Sequence, residues 1–177
     1  MTLPKFPSSP VPDVLIVGAG PAGSIAALVL ARAGVRVRLV DRAKFPRDKL
    51  CGDTLNPGAC ALLRRLDLLS GIEREALPLD GMLVSGDGVE VAARYAGGLR
   101  GLSLRRQELD AVLVNGAVHA GVDLRERVAA RGPLWREAVD GRAVAGATCS
   151  TPGGTLFDLR AAVTIAADGR RSTIAFA

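Results

Sequence analysis

VLIVGAGPAGSIAALVLARAGVRVRLVDR, residues 14–42, joins an apolar run, three spaced glycines, a second apolar run and a closing acid. The first run, residues 13–17, is short, apolar and rich in branched side chains, and glycine bounds it at once; that pattern predicts a buried parallel strand. A helix is expected next. Pro21 suits its first position, where a missing N–H costs nothing, and Ala22, Ile25, Ala26, Val29 and Leu30 fall on one face. Gly34 ends it. VRVRLV (35–40) alternates and finishes in Asp41, so strand, helix and strand follow one another in a unit whose crossover is right-handed.

Three glycines in that turn strip side chains from the start of a helix, where bare backbone N–H groups and the positive end of the helix dipole favour a bulky anion such as a pyrophosphate. Gly18 permits the tight turn, Gly20 lets phosphates approach, and Gly23 lets the helix press on the strand. The GxGxxG pattern alone is common. Here it follows a strand, opens a helix, and has Asp41 at the end of the second strand, 18 residues after Gly23 and 23 after Gly18, around the offset of about 20 at which an acid meets a ribose. A carboxylate there accepts hydrogen bonds from ribose hydroxyls and repels a 2′-phosphate, which favours FAD or NAD over NADP. The glycines do not separate FAD from NAD.

Composition bounds the rest. With 177 residues, 49% of them apolar, the chain can bury one real core. No window approaches the roughly 18 uninterrupted apolar residues that span a bilayer, and MTLPKFPSSPVPDV (1–14) has no apolar stretch of signal-peptide length. The expected location is cytoplasmic, with residues 1–12 a disordered lead-in. Cys51, Cys60 and Cys149 are odd in number and far apart, which suits neither a disulfide framework nor a metal site. The net charge of +5 comes from arginines scattered in ones and twos, as at Arg64–Arg65, Arg105–Arg106 and Arg170–Arg171. That reads as a solvated surface and not as a nucleic-acid interface.

Farther along, DRAKFPRDKLCGDTLNPGA (41–59) has too many charges and turn residues for a regular element and reads as a long loop. Asn56–Pro57 is a helix start ahead of GACALLRRLDLL (58–69), with Gly71 as its stop. GMLVSGDGVEVAARYA (81–96) is a hairpin turning near Gly86, Asp87 and Gly88. After a strand near 101–105, residues 106–121 place Leu109, Val112, Leu113, Gly116, Ala117 and Ala120 on one helical face. VDLRERVA (122–129) adds a strand, GRAVAGATCS (141–150) and GTLFDLR (154–160) an antiparallel pair, and AAVTIAADG (161–169) repeats the opening strand's design of an apolar run ending in an acid and a glycine. The class is α/β: a Rossmann-like parallel sheet with an antiparallel β insertion.

Taken together, VGAGPAGSIAALVLARAGVRVRLVDR (17–42), FPRDKLCGD (45–53), RRQELD (105–110) and AADGRRS (166–172) resemble the FAD-binding half of the geranylgeranyl reductase family, a branch of the flavoproteins that include aromatic hydroxylases and flavin-dependent halogenases. The resemblance runs from Asp13 to Ser172 and implies an FAD/NAD(P)-binding domain over 13–177, truncated before the substrate domain. It implies that Gly18, Gly20, Pro21, Ala22 and Gly23 meet the cofactor's phosphates, with Asp41 and Arg42 at its sugar. Arg47 and Lys49 become cofactor contacts, and Cys51 and Gly52 line the flavin ring; Asp53 departs from the second glycine often found there. Arg106 matches a position that holds the FAD phosphate and ribose, where a guanidinium donates paired hydrogen bonds. Asp168 and Gly169 match a DG motif whose aspartate reaches the ribose.

The activity this implies is FAD-dependent reduction of carbon–carbon double bonds in an isoprenoid-like substrate by hydride transfer from the flavin, with NAD(P)H or another reductant as electron donor. Rival readings are an aromatic hydroxylase or monooxygenase, and an FAD-binding fragment without turnover. The implied partner is a small molecule, with peripheral membrane contact and oligomeric state left open. His119, late in a helix with apolar neighbours and no carboxylate at a telling spacing, is read as structural or solvated. No residue is identified as the proton donor.

Overall fold

The computed structural model describes residues 10–51 and 53–177. In chain order the elements are β1 (Val14–Val17), α1 (Pro21–Arg32), β2 (Val37–Asp41), β3 (Thr54–Leu55), α2 (Pro57–Arg65), α3 (Leu69–Glu73), β4 (Leu77–Leu79), β5 (Gly81–Gly86), β6 (Val89–Arg94), β7 (Gly101–Ser103), α4 (Arg106–His119), β8 (Asp123–Glu126), β9 (Ala129–Ala138), β10 (Gly141–Ser150), β11 (Leu156–Arg160) and β12 (Val163–Ala166). The chain forms two compact units, one of the chain up to Lys44 with Val114–Ala177, the other of Phe45–Leu113. Among the described residues no helix is long and apolar enough to cross a membrane.

In the first unit β12, β1, β2 and β8 make a parallel sheet in that order. Successive strands run outward from β1 through β2 to β8, whereas β12 returns to the other side of β1, so the order reverses between β1 and β12. In open α/β sheets, ligands bind outside the strand ends at such a reversal. Alternation along β1 and β2 puts Leu15, Val17 and Val40 in one apolar cluster with Val128, Ala147, Cys149 and Ala161, which belong to the antiparallel β11–β10–β9 sheet or the turns beside it. The insertion thus covers one face of the parallel sheet.

The helix α1 packs with β1 and β2, but not by the face its large apolar residues suggest. Its buried residues are Gly23, Ser24, Ala27 and Leu28, while Ala22 is exposed and Val29 is 47% exposed. The reason is steric. A Cβ on Gly23 would lie 1.8 Å from the Gly18 carbonyl oxygen, so the approach of that turn of helix to the loop fixes the helix's rotational phase, and small residues follow it inward. Gly34 does end the helix: at φ +82° it donates to Ala31 while Val35 donates to Leu30, the paired bonds of a Schellman close.

The strand β9 is absent from the sequence expectations, because Pro133 interrupts its pattern. Proline is tolerated there because β9 is an edge strand of its sheet, with a free N–H side.

In the second unit β3 and β4 flank β7 in an antiparallel sheet, and β5–β6 form the expected hairpin, turning through Asp87 (φ +48°) and Gly88 (φ +77°). Asn56 caps α2 as expected: its Oδ1 accepts the Ala59 N–H at 2.8 Å, with Pro57 in the first position. The stop at Gly71 is wrong. The helix closes earlier, through Asp67 at φ +56°, with Asp67 donating to Arg64 and Leu68 to Leu63; aspartate tolerates this left-handed turn, and Gly71 then lies inside α3, which buries Leu69 and Ile72.

Burial in the first unit's core, with Asp158 adding repulsion, pushes the Cys149 thiol up to about 11. A group whose pKa is higher folded than unfolded supports the fold below its unfolded pKa and loses that support as pH rises through the folded one. The thermal midpoint is therefore expected to fall more steeply above pH about 9 in the native chain than in Cys149→Ala, measured by circular dichroism across the alkaline range; parallel profiles would exclude this residue as the cause.

Candidate functional site

Two groups of sequence-selected residues emerge, one in each unit. In the first, β1 and β12 end beside each other. Gly18 has φ +101°, and a Cβ on it would lie 2.4 Å from the carbonyl oxygen of Ala167. Its N–H donates to Val40 and the Ala167 N–H to Val17, both at 2.8 Å. Gly18 and Gly23 are thus demanded by the chain's own packing. Gly20 is different: it is the N-cap of α1 at φ −74°, ψ −176°, an ordinary extended conformation, so no torsion requires glycine there. Having no side chain, it caps nothing, and because Pro21 lacks an N–H, the donors that helix geometry leaves without an acceptor in the first turn are those of Ala22 and Gly23.

Asp41, the last residue of β2, has a task within the chain. Its Oδ2 accepts the Ala19 N–H and its Oδ1 the Ala43 N–H, each at 2.8 Å. The carboxylate braces the glycine loop from the neighbouring strand while each oxygen keeps a further lone pair. Arg42 beside it is exposed. Across the sheet, Asp168 follows β12, and its Oδ2 accepts the Thr173 N–H at 2.7 Å and the Thr173 hydroxyl at 3.1 Å. Its Oδ1 is buried with no hydrogen bond. Burial acts to raise the Asp168 pKa, but hydrogen bonds from Ser172 and Thr173 outweigh it and hold the carboxyl below its usual range, so it is anionic at neutral pH. Gly169 takes φ +93° and is exposed, the backbone freedom that lets the chain turn away after the acid.

In the second unit Arg47 and Arg106 converge on Asp110, whose side chain is fully buried. Arg106 Nε donates to Asp110 Oδ1 at 2.7 Å, and Arg47 Nη2 stands 3.3 Å from Asp110 Oδ2 with its guanidinium carbon 5.1 Å from the Phe45 ring centre. Burial acts to lower the Arg106 pKa; Asp110 and the Cys51 thiol outweigh it and raise it, so the guanidinium stays charged. Asp53 sits at φ +51°, a left-handed turn that glycine adopts without strain, and its Oδ1 accepts the Arg106 N–H at 3.0 Å at the start of α4. Lys49 is exposed. Asp48, Lys49, Leu50, Cys51, Asp53, Arg105, Arg106 and Gln107 line a cleft of about 250 Å³. Gly52 lies outside the described residues.

Asp110 went unread in the sequence, although an Arg–Asp pair at i,i+4 is a legible signal; that its second partner is Arg47, 63 residues earlier, carries no local sign. His119 is exposed, with Nδ1 2.7 Å from the Asn115 carbonyl oxygen, as expected of a residue outside the site.

The profile of the FAD binding domain family matches residues 12–176. Menaquinone reductase of Mycolicibacterium smegmatis is 49% identical over 85 residues, 48% of this chain and 20% of that protein. Digeranylgeranylglycerophospholipid reductase of Methanosarcina mazei is 31% identical, over 92% of this chain and 39% of that one. A myxobacterial chondrochloren halogenase shares the fold with a TM-score of 0.83 at 23% identity, over 94% of this chain and 39% of its own. The chain thus spans between a fifth and about two fifths of these proteins' lengths.

Because both Asp41 oxygens hold backbone amides of the chain itself, Asp41→Asn should cost stability in the chain alone. An amide can accept one of the two N–H groups, and its own NH2 then confronts the other donor. Chemical denaturation without added nucleotide should show a loss of about 1–3 kcal/mol; unchanged stability would restrict Asp41 to ligand contact.

Proposed function

The chain belongs to the FAD binding domain family, and on that premise we propose that it is the FAD-binding part of an oxidoreductase that reduces carbon–carbon double bonds of an isoprenoid-like substrate. The residues of the first unit fit the cofactor. Around the reversal of strand order stand the first-turn amides of Ala22 and Gly23, which helix geometry leaves without an intrahelical acceptor, a cap position without a side chain at Gly20, and a buried carboxylate oxygen on Asp168 with no hydrogen bond. An orphaned buried acceptor costs free energy until a donor reaches it, and a sugar hydroxyl is such a donor. The Asp168 Oδ1 is the observation that carries this reading.

In this reading the amides of Ala22 and Gly23 hold the diphosphate, Pro21 keeps the first turn in helical register, and the free lone pairs of Asp41 receive ribose hydroxyls. Arg42 lies at the sugar, and Asp168 with Gly169 receives another hydroxyl. Within the second unit the proposal gives Arg47, Lys49, Cys51, Gly52 and Arg106 to cofactor contact, supported by the cleft that Lys49, Cys51 and Arg106 line. When bound, FAD supplies hydride transfer, with NAD(P)H or another reductant renewing it. This chain's residues bind, orient and neutralise charge.

The isoprenoid assignment leans on the similarity to a menaquinone reductase and a digeranylgeranylglycerophospholipid reductase. A monooxygenase reading keeps standing through relatives named as such, including a squalene monooxygenase 34% identical over 60% of this chain. Product mass separates the two: reduction adds two hydrogens, oxygenation an oxygen atom. A small-molecule substrate of isoprenoid-lipid type, peripheral contact with a membrane that presents it, and a cytoplasmic location belong to the same proposal.

Gly20→Val tests the site, because the Gly20 torsions are open to any residue. The native chain should bind FAD in a titration followed by flavin fluorescence, and with weaker affinity for NADP. Gly20→Val should weaken FAD at least about tenfold, a change of roughly 1.4 kcal/mol, at an unchanged thermal midpoint. Equal FAD affinity in the two proteins would remove the glycine loop from the site.

A further inference from the structure

A buried ion cluster is poor evidence of stabilisation, because desolvating the charges offsets most of their attraction. The cluster around Asp110 is moreover incompletely satisfied: Asp110 Oδ2 and Arg47 Nε are both buried and both lack a hydrogen bond. What the arrangement does accomplish is positional. One carboxylate with no exposed side-chain surface joins the loop that carries Arg47 to the first turns of α4, and the guanidinium it holds at 2.7 Å lines the same cleft as Cys51, whose thiol helps hold the Arg106 pKa up. Asp53 ties the backbone of the same residue, Arg106, from the loop's other end.

We propose that Asp110 is a positioning residue that holds the Arg106 guanidinium against the Cys51 thiol at the cleft, with Arg47 sharing its charge. The inference deepens the cofactor reading of this loop and names how the pair is presented there: Asp110 divides its negative charge between two guanidinium groups, so Arg106 retains positive charge to turn toward Cys51. The other groups facing the pair are Asp48, Lys49 and Asp53 from the loop and Arg105 from the start of α4. Arg105 is already matched by Glu108.

The arrangement makes opposite demands on two substitutions. Asp110→Asn removes the negative charge behind Arg106, leaves more positive field at Cys51 and favours the thiolate. Arg47→Gln removes Asp110's second cation, turns the whole carboxylate on Arg106 and disfavours the thiolate. Iodoacetamide labelling of the purified chain as a function of pH, resolved by peptide mass, reads Cys51 directly; Cys60 and Cys149 are buried and serve as internal controls for unfolding.

The labelling midpoint of Cys51 should fall by about one pH unit in Asp110→Asn, roughly a tenfold faster reaction near neutral pH, and rise in Arg47→Gln. Asp110→Glu should return it toward the native value. A purely structural role would move neither midpoint, or would speed labelling equally at every pH, and either result overturns the proposal. Should Asp110→Asn not fold, the sign of the Arg47→Gln shift decides alone: a rise supports, no change or a fall refutes. Because labelling is done without cofactor, failure here is distinguishable from failure to bind FAD.

Discussion

At Gly18 backbone lies on backbone: the end of β12 passes so close that a single methyl on this residue would fall 2.4 Å from the Ala167 carbonyl oxygen, while from the other side Gly23 brings α1 against Gly18's own carbonyl. Interiors are packed too tightly for such a contact to yield by more than a few tenths of an ångström. Much of the first unit follows from it. The helix phase is fixed by the Gly23 approach, which turns Ser24, Ala27 and Leu28 inward. The reversal of strand order between β1 and β12 is closed by the Gly18 approach, so the glycine loop and Asp168 come to the same edge of the sheet. Two of the three glycines are thus structural in the strict sense. The third, Gly20, has torsions open to any residue, so no backbone conformation accounts for its missing side chain.

Carboxylates set up the rest of both candidate regions, and they do so by holding protein groups. Asp41 ties the glycine loop to β2 through two amides. Asp168 gathers Thr173, Asp53 anchors the start of α4, and Asp110 draws two guanidinium groups together. Charge-assisted bonds to backbone N–H groups are short and strong, so a loop that must present bare amides to an anion can be kept in one shape without lending side chains to the task. The acids thereby fix where the backbone of each region goes, which leaves the first-turn amides of α1 free of side chains.

Membership of the FAD binding domain family and the match to proteins of reductase and halogenase function agree with that physics at the level of the fold. One scaffold serves several chemistries, because the flavin carries the reactive centre and surrounding residues select what reaches it. Reductases, monooxygenases and halogenases accordingly stand side by side among the proteins this chain is similar to.

Local signals in the sequence determined a good deal of this protein: the strand, helix and strand around the glycine loop, the Asn56 cap, the 86–88 hairpin turn and the recurrence of an apolar strand ending in Asp168–Gly169. Each depends on neighbours within a few residues, through turn torsions, capping bonds or the alternation of side chains, so each could be read from order alone. Only the tertiary structure decided which side of α1 faces the sheet, that Pro133 lies in an edge strand, that Asp67 and not Gly71 closes α2, and that Asp110 is buried between Arg47 and Arg106. These outcomes turn on close approach and desolvation between segments distant in the chain, and periodicity carries no record of what a residue will meet across such a gap.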